Sequence, residues 1–238
     1  MKKKLALFIS LTPFTMGFGQ TDAVEEDSLF NPLDIEMVFV EGSKKFAVAD
    51  FYIGKYEVTQ EQWEAVMGDN PADYRVYDHP VEHVSWNDVK QFLTKLNTLT
   101  GKEYRLPTEK EWAYAASGGK KDEPYKFAGG DKIGAVGWYA GNSEQATHPV
   151  GTKQPNSLGI YDMTGNVWEW CEDCYDAKCM YRVFRGGSWL NPPEFCEIPY
   201  RNYFMPVYRY DYLGVRVVYS APKAIPKAAT PKTATPKK

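Results

Sequence analysis

Apolar residues recur at helical spacing in a segment that starts after Thr59 and stops at Gly68. Thr59 and Gln62, three residues apart, form the sequence pattern of a capping box, in which each side chain bonds the other residue's backbone amide. The apolar face that follows consists of Trp63, Val66 and Met67. This pattern predicts a short amphipathic helix that ends at the glycine.

Two more segments show the same arrangement. One begins at a cap, either Ser85 or Asn87, and runs to Gly101, with an apolar face formed by Val89, Phe92, Leu93 and Leu96. The other begins at Thr108, with Glu111 completing a capping box, and its apolar face is formed by Trp112, Ala113, Ala115 and Ala116. The first half of the chain therefore predicts about three helices.

Strand patterns are short. Residues 37–40 and 46–48 flank a turn at Gly42, and residues 51–58 continue the apolar pattern. After Gly118-Gly119 no long periodic segment returns, and the chain is rich in aromatic residues and punctuated by glycine and proline. Twelve Phe, 17 Tyr and seven Trp favour a core built from loops. We expect an irregular, loop-rich α+β fold with few short strands.

The two ends differ from the middle in composition. Three lysines and an apolar run over 1–19, with small residues at its end, predict a cleavable signal peptide. Residues 20–36 form an acidic stretch that predicts a flexible lead-in, and 221–238 form a Lys/Pro/Ala tail that predicts disorder. The predicted folded domain covers 37–220. The leader predicts an exported protein with no transmembrane anchor after its removal.

The positive charge of the two ends offsets most of the negative net charge of residues 20–220. The whole chain carries −3, but the leader carries +3 and the tail +5, so the remainder carries −11. An acidic body argues against nucleic acid as the main partner. Four cysteines in an exported chain favour disulfides over reduced thiols.

Several motifs occur together in a characteristic order: PVEHVSW (80–86), YRLPTEKEW (104–112), GIYDMTGNVWEW (159–170), RGGSW (185–189) and LGVR (213–216). This series resembles the formylglycine-generating enzyme, or sulfatase-modifying factor, family. The resemblance covers about residues 38–218. It implies a variant of the C-type lectin fold. The family's best-known activity oxidises a sulfatase cysteine to formylglycine with oxygen and a copper ion held by two cysteines.

The resemblance places the copper ligands three and eight residues after Ser188, at Asn191 and Cys196. Cys196 would be the second ligand, with Ser188 near bound oxygen, but the first ligand is an asparagine. An amide oxygen is a hard, neutral donor and does not replace a thiolate on Cu(I). Counting back from Arg201 also shifts the register by three residues, which removes Cys196 from the ligand position. The alternative for Cys196 is a half-cystine.

The resemblance also implies a calcium site in the segment that ends in Asp162 and Glu169, with backbone carbonyls of Gly165 and Val167 between them. Hard oxygen donors and two carboxylates suit Ca²⁺. The alternative is that the two acids cap turns or pair with Arg185 or Arg216. The resemblance also assigns Asn142 to a remnant of the family's second, shortened calcium site.

The remaining cysteines have the spacing C-x2-C-x4-C. We expect disulfides that pair Cys171 with Cys196 and Cys174 with Cys179, although four cysteines allow three connectivities, a zinc site or a redox pair. His79 and His83 have a metal-compatible spacing, but Pro80 breaks the helix that would align them, so packing roles are predicted.

Two functions remain open. One is a non-catalytic binding or assembly module that retains calcium and contacts a protein, peptide or glycan of the cell envelope. The other is copper- and oxygen-dependent oxidation of a client cysteine. A less favoured third class is another metal-dependent oxidoreductase of the wider family. Asn191 favours the first.

Overall fold

The computed structural model describes residues 31–222. The predicted leader lies outside these residues, as does the predicted tail except for Ala221 and Pro222. The end of the predicted lead-in is included: Ile35 is buried, and Leu33 packs against the same core. The backbone carbonyl of Glu36 accepts a hydrogen bond from Lys55. The packed chain therefore begins a few residues before the predicted boundary at 37.

The three predicted helices are present. They are α1 (Gln60–Met67), α2 (Trp86–Thr100) and α3 (Glu109–Ala116). Each begins at a capping box, and the caps are Thr59, Ser85 and Thr108. A one-turn helix, α4 (Ile133–Val136), and 3-10 turns at Gly119–Lys121 and Pro193–Cys196 are added. The caps Thr59 and Thr108 are as predicted, and for α2 the structure selects Ser85 over Asn87. These caps are local, because the amides that they satisfy lie within three residues.

Two sheets organise the rest of the described chain. The first is antiparallel, in the order β1-β2-β7, and consists of Met37–Val40, Phe51–Gly54 and Val218–Ser220. The second has the order β5-β4-β3-β6, in which only the β3–β6 pair is parallel. Its strands are β3 (Trp168–Cys174), β4 (Arg182–Arg185), β5 (Arg201–Phe204) and β6 (Leu213–Gly214). Glu169 lies centrally, opposite Arg185 on one side and Gly214 on the other.

The described chain has more strands after residue 119 than its sequence predicts. Five of the seven strands lie there, each two to seven residues long. Residues 46–48, predicted as a strand, instead form a tight loop closed by the Ser43–Val48 bridge. The architecture is nevertheless the expected α+β fold with short elements and long loops. Within residues 31–222, no helix is both long and apolar enough to cross a membrane.

The cysteines confirm one predicted disulfide and correct the other. Cys174 and Cys179 are bonded, and they close a short loop at the end of β3. Cys171 and Cys196 are both free and buried, so their predicted pairing is wrong. The physical reason is that they pack in different apolar clusters. Cys171 lies with Trp112 and Met163, whereas Cys196 lies with Phe127.

Candidate functional site

The Gly-Gly-Ser turn follows β4 and leads into the predicted catalytic segment. Gly187 has a φ of +76° and lies directly against Cys196, so a side chain at this position would collide with the Cys196 sulfur and backbone. Only glycine combines that backbone conformation with so close an approach. The turn places Ser188 in a fully buried position between β4 and the 3-10 turn that contains Cys196.

Asn191 occupies a hydrogen-bonded position beside Ser188. Its side-chain oxygen accepts a hydrogen bond from Ser188 Oγ at 2.7 Å and another from Trp168 Nε1 at 2.8 Å. Its backbone carbonyl accepts from the amide of Ala140. Two donors therefore converge on one neutral amide oxygen, and they hold the loop to β3. The structure thus places Ser188 and Asn191 in direct contact.

Cys196 is a buried thiol, and a metal ion would have to displace its proton to bind it. Burial raises the pKa of its thiol to about 12, and a carboxylate at Glu194 acts in the same direction. At neutral pH the side chain is therefore a thiol, whereas metal ligation requires a thiolate. Together with the satisfied amide of Asn191, this thiol forms a donor set that does not fit a two-thiolate copper ion.

Glu169 lies at the centre of the molecule in a buried ion pair. Its side chain and that of Arg216 are both fully buried. Arg216 donates to the Glu169 carboxylate from Nε at 3.0 Å and from Nη2 at 2.6 Å. Trp112 Nε1 donates to the same carboxylate at 2.6 Å. Both Glu169 oxygens are engaged, so the alternative pairing of Glu169 with Arg216 is the arrangement present.

Two more buried carboxyl groups, Glu57 and Asp162, lie around this pair. We call Glu57, Asp162, Glu169 and Arg216 the acidic centre. Burial, with the Asp162 and Glu169 charges, raises the pKa of Glu57 well above its ordinary value. Burial likewise raises the pKa of Asp162 to about 6. Three acids and one guanidinium thus give the centre an excess of negative charge, and proton uptake offsets part of it.

The predicted calcium ligands meet only in part. Asp162 Oδ2 accepts from the amide of Gly151 at 2.7 Å, while its buried Oδ1 has no hydrogen-bond partner. That oxygen suits a hard cation. Gly165 and Val167 lie in the same segment, and the Val167 amide is held by Glu57 at 3.1 Å. Glu169 would have to give up contacts to Arg216 or Trp112 before it could join them, so the four residues as placed do not form a ready calcium site.

Asn142 has a local role in this structure. Its side-chain oxygen accepts from the amide of Tyr139 at 2.8 Å, and its nitrogen donates to the carbonyl of Gly137 at 3.0 Å. Both ends of the amide hold one turn, the common use of asparagine in loops. Calcium ligation by Asn142 remains a prediction that this geometry does not favour.

Sequence reasoning missed Glu57 of the acidic centre and its hydrogen-bond partner Asn166. The Asn166 side-chain amide donates to Glu57 at 2.6 Å and to the carbonyl of His148 at 3.2 Å. The available signal was an acidic residue between Tyr56 and Val58 in an apolar stretch. A carboxylate in such a position is rarely buried without partners. Its partners lie more than 100 residues away and cannot be read from spacing.

An open cleft of about 460 Å³ is lined in part by Arg185, the residue that precedes the Gly-Gly-Ser turn. One wall is α3, which contributes Lys110 and Tyr114, and another is the chain around Arg185 and Ile198. Phe46 and Tyr125 add aromatic surface. A volume of this size holds a side chain or a small ligand, and aromatic and cationic groups together suit peptide or sugar groups.

Comparison with known families and proteins identifies a matching family and several relatives. A family model described as "Sulfatase-modifying factor enzyme 1-like domain" matches residues 7–221. The chaperone protein LppX of Paenibacillus barcinonensis is 35% identical, with 68% of this chain and 77% of that protein covered. The inactive C-alpha-formylglycine-generating enzyme 2 of Bos taurus is 35% identical over 56% of this chain and 46% of its own length. The formylglycine-generating enzyme of Streptomyces coelicolor is 36% identical over 50% and 45%. This chain thus spans just under half the length of the latter two relatives.

Solved structures agree on the fold. Treponema denticola variable protein 1 superposes with a TM-score of 0.70 at 28% identity, covering 77% of this chain and 91% of that one. The structure of CarF superposes with a TM-score of 0.71 at 26% identity, covering 80% and 100%. The relatives include enzymes, an inactive homologue and a protein named as a chaperone, so the fold alone does not fix the activity.

Proposed function

We propose that this chain, which belongs to the sulfatase-modifying factor enzyme 1-like family, is an exported, non-catalytic binding or assembly module. Its partner would be a protein, peptide or glycan of the cell envelope. The leader-like segment 1–19 supports export. The acidic folded body argues against a nucleic-acid partner.

One observation carries the proposal. The Asn191 side-chain oxygen stands where the resemblance requires a copper thiolate, and it is satisfied by donors from Ser188 and Trp168. Cu(I) binds weakly to a neutral amide oxygen, and the nearby thiol of Cys196 is kept protonated by burial. A site with neither thiolate ready lacks the means to hold copper and a substrate cysteine together.

The cleft that Arg185 lines supplies a place for binding that needs no oxidation chemistry. Its aromatic residues offer stacking surface, and Lys110 lies in its wall. The existence of an inactive homologue at 35% identity supports this separation of fold from chemistry.

Calcium retention is part of the proposal and depends mainly on Asp162. Its unpartnered, buried Oδ1 is the donor that a calcium ion would use first. The carbonyls of Gly165 and Val167 are the further ligands that the family resemblance implies. Glu169 would join only by sharing its carboxylate with Arg216. Thermal unfolding of Asp162→Ala with and without Ca²⁺ tests the site.

The oxidase alternative is tested by copper titration of the full chain under reducing conditions, followed by incubation with a peptide carrying a Cys-x-Pro-x-Arg motif. We expect no tight stoichiometric Cu(I) binding and no loss of peptide thiol. Mass spectrometry of the peptide reads out aldehyde formation directly. The matched control is Cys196→Ser, which should behave like the parent protein in both assays.

Two results would reverse the proposal. Stoichiometric copper binding with peptide oxidation, both abolished in Cys196→Ser, would establish the copper-dependent activity. Peptide oxidation that does not require Cys196 would point instead to another metal-dependent oxidoreductase activity of the wider family.

A further inference from the structure

Three potential metal ligands meet on the loop between α1 and α2, away from the acidic centre. The metal-binding atoms of Asp73, Glu82 and His83 all lie within 4.8 Å of one another. We call these three residues the surface cluster. Sequence spacing considered His83 only with His79, whose ring instead contacts Thr147 Oγ1 at 3.0 Å. The fold thus gives His83 two carboxylate neighbours that spacing did not suggest.

Glu82 is the residue that turns an acidic cluster into a candidate site. It is 3% exposed, and its Oε2 is buried without a hydrogen-bond partner. Its other oxygen, Oε1, accepts from the backbone amide of Asp73 at 2.8 Å, which fixes the carboxyl group in place. A buried oxygen without a partner is costly unless something absent from the protein chain satisfies it.

His83, the third member of the cluster, has an unusual backbone conformation. Its φ is +62°, a region that side-chain-bearing residues seldom adopt, and its amide donates to the carbonyl of Tyr210 at 2.9 Å. Its Nδ1 is buried and also lacks a hydrogen-bond partner. Such strain persists only where the surroundings hold it, and it is concentrated at functional positions.

The spacing of the His83 and Asp73 donors fits a small divalent cation, and the Glu82 donor lies within 4.8 Å of both. His83 Nδ1 and Asp73 Oδ2 are 3.4 Å apart. Donors that each bind zinc at about 2.0 to 2.1 Å in tetrahedral geometry lie roughly 3.3 Å from one another. Two carboxylates and a neutral imidazole also balance the charge of a divalent ion. The side chains of Asp73 and His83 are 54% and 39% exposed, which gives the ion a path from solvent.

We propose that Asp73, Glu82 and His83 form a binding site for a divalent transition-metal ion of the zinc class. The imidazole selects against calcium and magnesium, which take oxygen ligands. Three protein ligands leave a fourth tetrahedral position for water. His83 also lines a cavity of about 290 Å³, which leaves room on that side of the cluster. This site is separate from the acidic centre and independent of the proposed binding function.

The test is isothermal titration of the full chain with Zn²⁺, using Glu82→Gln and His83→Asn as the site variants. Glutamine keeps an acceptor for the Asp73 amide but removes the charge, and asparagine tolerates positive φ. We expect one Zn²⁺ per chain in the parent protein and at least a tenfold weaker affinity in both variants. The matched control is Asp78→Asn, an exposed aspartate on the same loop, which should leave the affinity unchanged.

Cobalt(II) gives a direct view of the ligands. Absorption bands of tetrahedral Co²⁺ should appear with the parent chain and with Asp78→Asn, and disappear with Glu82→Gln. Circular dichroism checks that each variant is folded. The absence of Zn²⁺ binding at 100 μM, or equal affinity in parent and Glu82→Gln proteins, would overturn the assignment.

Discussion

The acidic centre and the surface cluster both bury carboxyl groups, but they differ in the positive charge that lies beside those groups. Each holds a buried carboxyl oxygen without a hydrogen-bond partner, Asp162 Oδ1 in one and Glu82 Oε2 in the other. The acidic centre contains its own cation, because Arg216 donates to Glu169 and to two backbone carbonyls. In the surface cluster the nearest cationic group is His83, which is charged only when protonated.

The difference shows how a fold decides which site depends on an external ion. Arg216 cannot lose its proton at any physiological pH, so the acidic centre keeps a permanent internal counterion. Its remaining excess charge can be met by protons on Glu57 and Asp162. The surface cluster has no permanent counterion among its three residues. We therefore expect a metal ion bound at the surface cluster to stabilise the folded protein more than one bound at the acidic centre.

The largest effect is expected when Arg216, the internal cation of the acidic centre, is removed. Arg216→Met leaves Glu169 buried and unpaired, and it also leaves the carbonyls of Gly54 and Tyr161 without donors. Loss of one partner of a buried pair costs about 3 to 5 kcal/mol. We expect that loss in the free energy of unfolding, measured by urea denaturation, or failure to fold at all.

The control is Arg209→Met. Arg209 pairs with Asp88 at 2.6 Å, but its side chain is 52% exposed. Exposed pairs contribute about 0 to 1 kcal/mol. Equal losses in the two variants would mean that Arg216 is not the counterion of the acidic centre.

The second prediction concerns proton uptake by Asp162. Its pKa is raised to about 6 in the folded protein, from an ordinary value of 3.8. Between pH 4 and 6 the folded protein keeps a proton that the unfolded chain releases, so folding stability falls as pH rises. Relative to Asp162→Asn, the parent protein should lose on the order of 2 to 3 kcal/mol across this window.

This effect is measured by urea denaturation at several pH values in the absence of metal. Asp78→Asn serves as the control because Asp78 is exposed, and its curve should run parallel to that of the parent. Asparagine at 162 keeps an acceptor for the Gly151 amide, so the comparison isolates the charge. Parallel curves for the parent and Asp162→Asn proteins would show that Asp162 is ionised throughout.

Local signals explain what the sequence predicted correctly. Thr59, Ser85 and Thr108 each satisfy an amide three residues away, so the helix starts were visible without tertiary information. The bonded pair Cys174–Cys179 is also local, with a separation of five residues. The family motifs supplied the fold class, which the solved structures confirm.

Contacts between residues far apart in the sequence explain which features the sequence analysis missed. Strands β4 and β5 have four residues each, and their pairing joins segments separated by a long loop. The sequence predicts a bond between Cys171 and Cys196 because an exported chain favours disulfides. In the structure their side chains fill separate apolar clusters. Glu57 reaches Asn166 across 109 positions, and no spacing rule predicts such a contact.

The smallest expected effect separates the two sites by their metals. If Asp162 Oδ1 is a calcium donor, Ca²⁺ at about ten times its dissociation constant adds about 1.4 kcal/mol to the stability. For a domain of this size that corresponds to a rise of about 3 to 6 °C in Tm, measured by calorimetry. Asp162→Ala should remove the rise, because it removes the only unpartnered carboxyl oxygen of the acidic centre among the described residues.

Glu82→Gln is the crossed control, and the reciprocal experiment uses zinc. Calcium should still raise the Tm of Glu82→Gln, while zinc should raise the Tm of Asp162→Ala but not that of Glu82→Gln. Because Asp162→Ala also removes the acceptor for Gly151, its basal Tm will fall, so only the metal-induced shifts are compared. A calcium shift that survives in Asp162→Ala places the ion elsewhere. No shift in the parent protein would mean that Arg216 and bound protons satisfy the acidic centre without calcium.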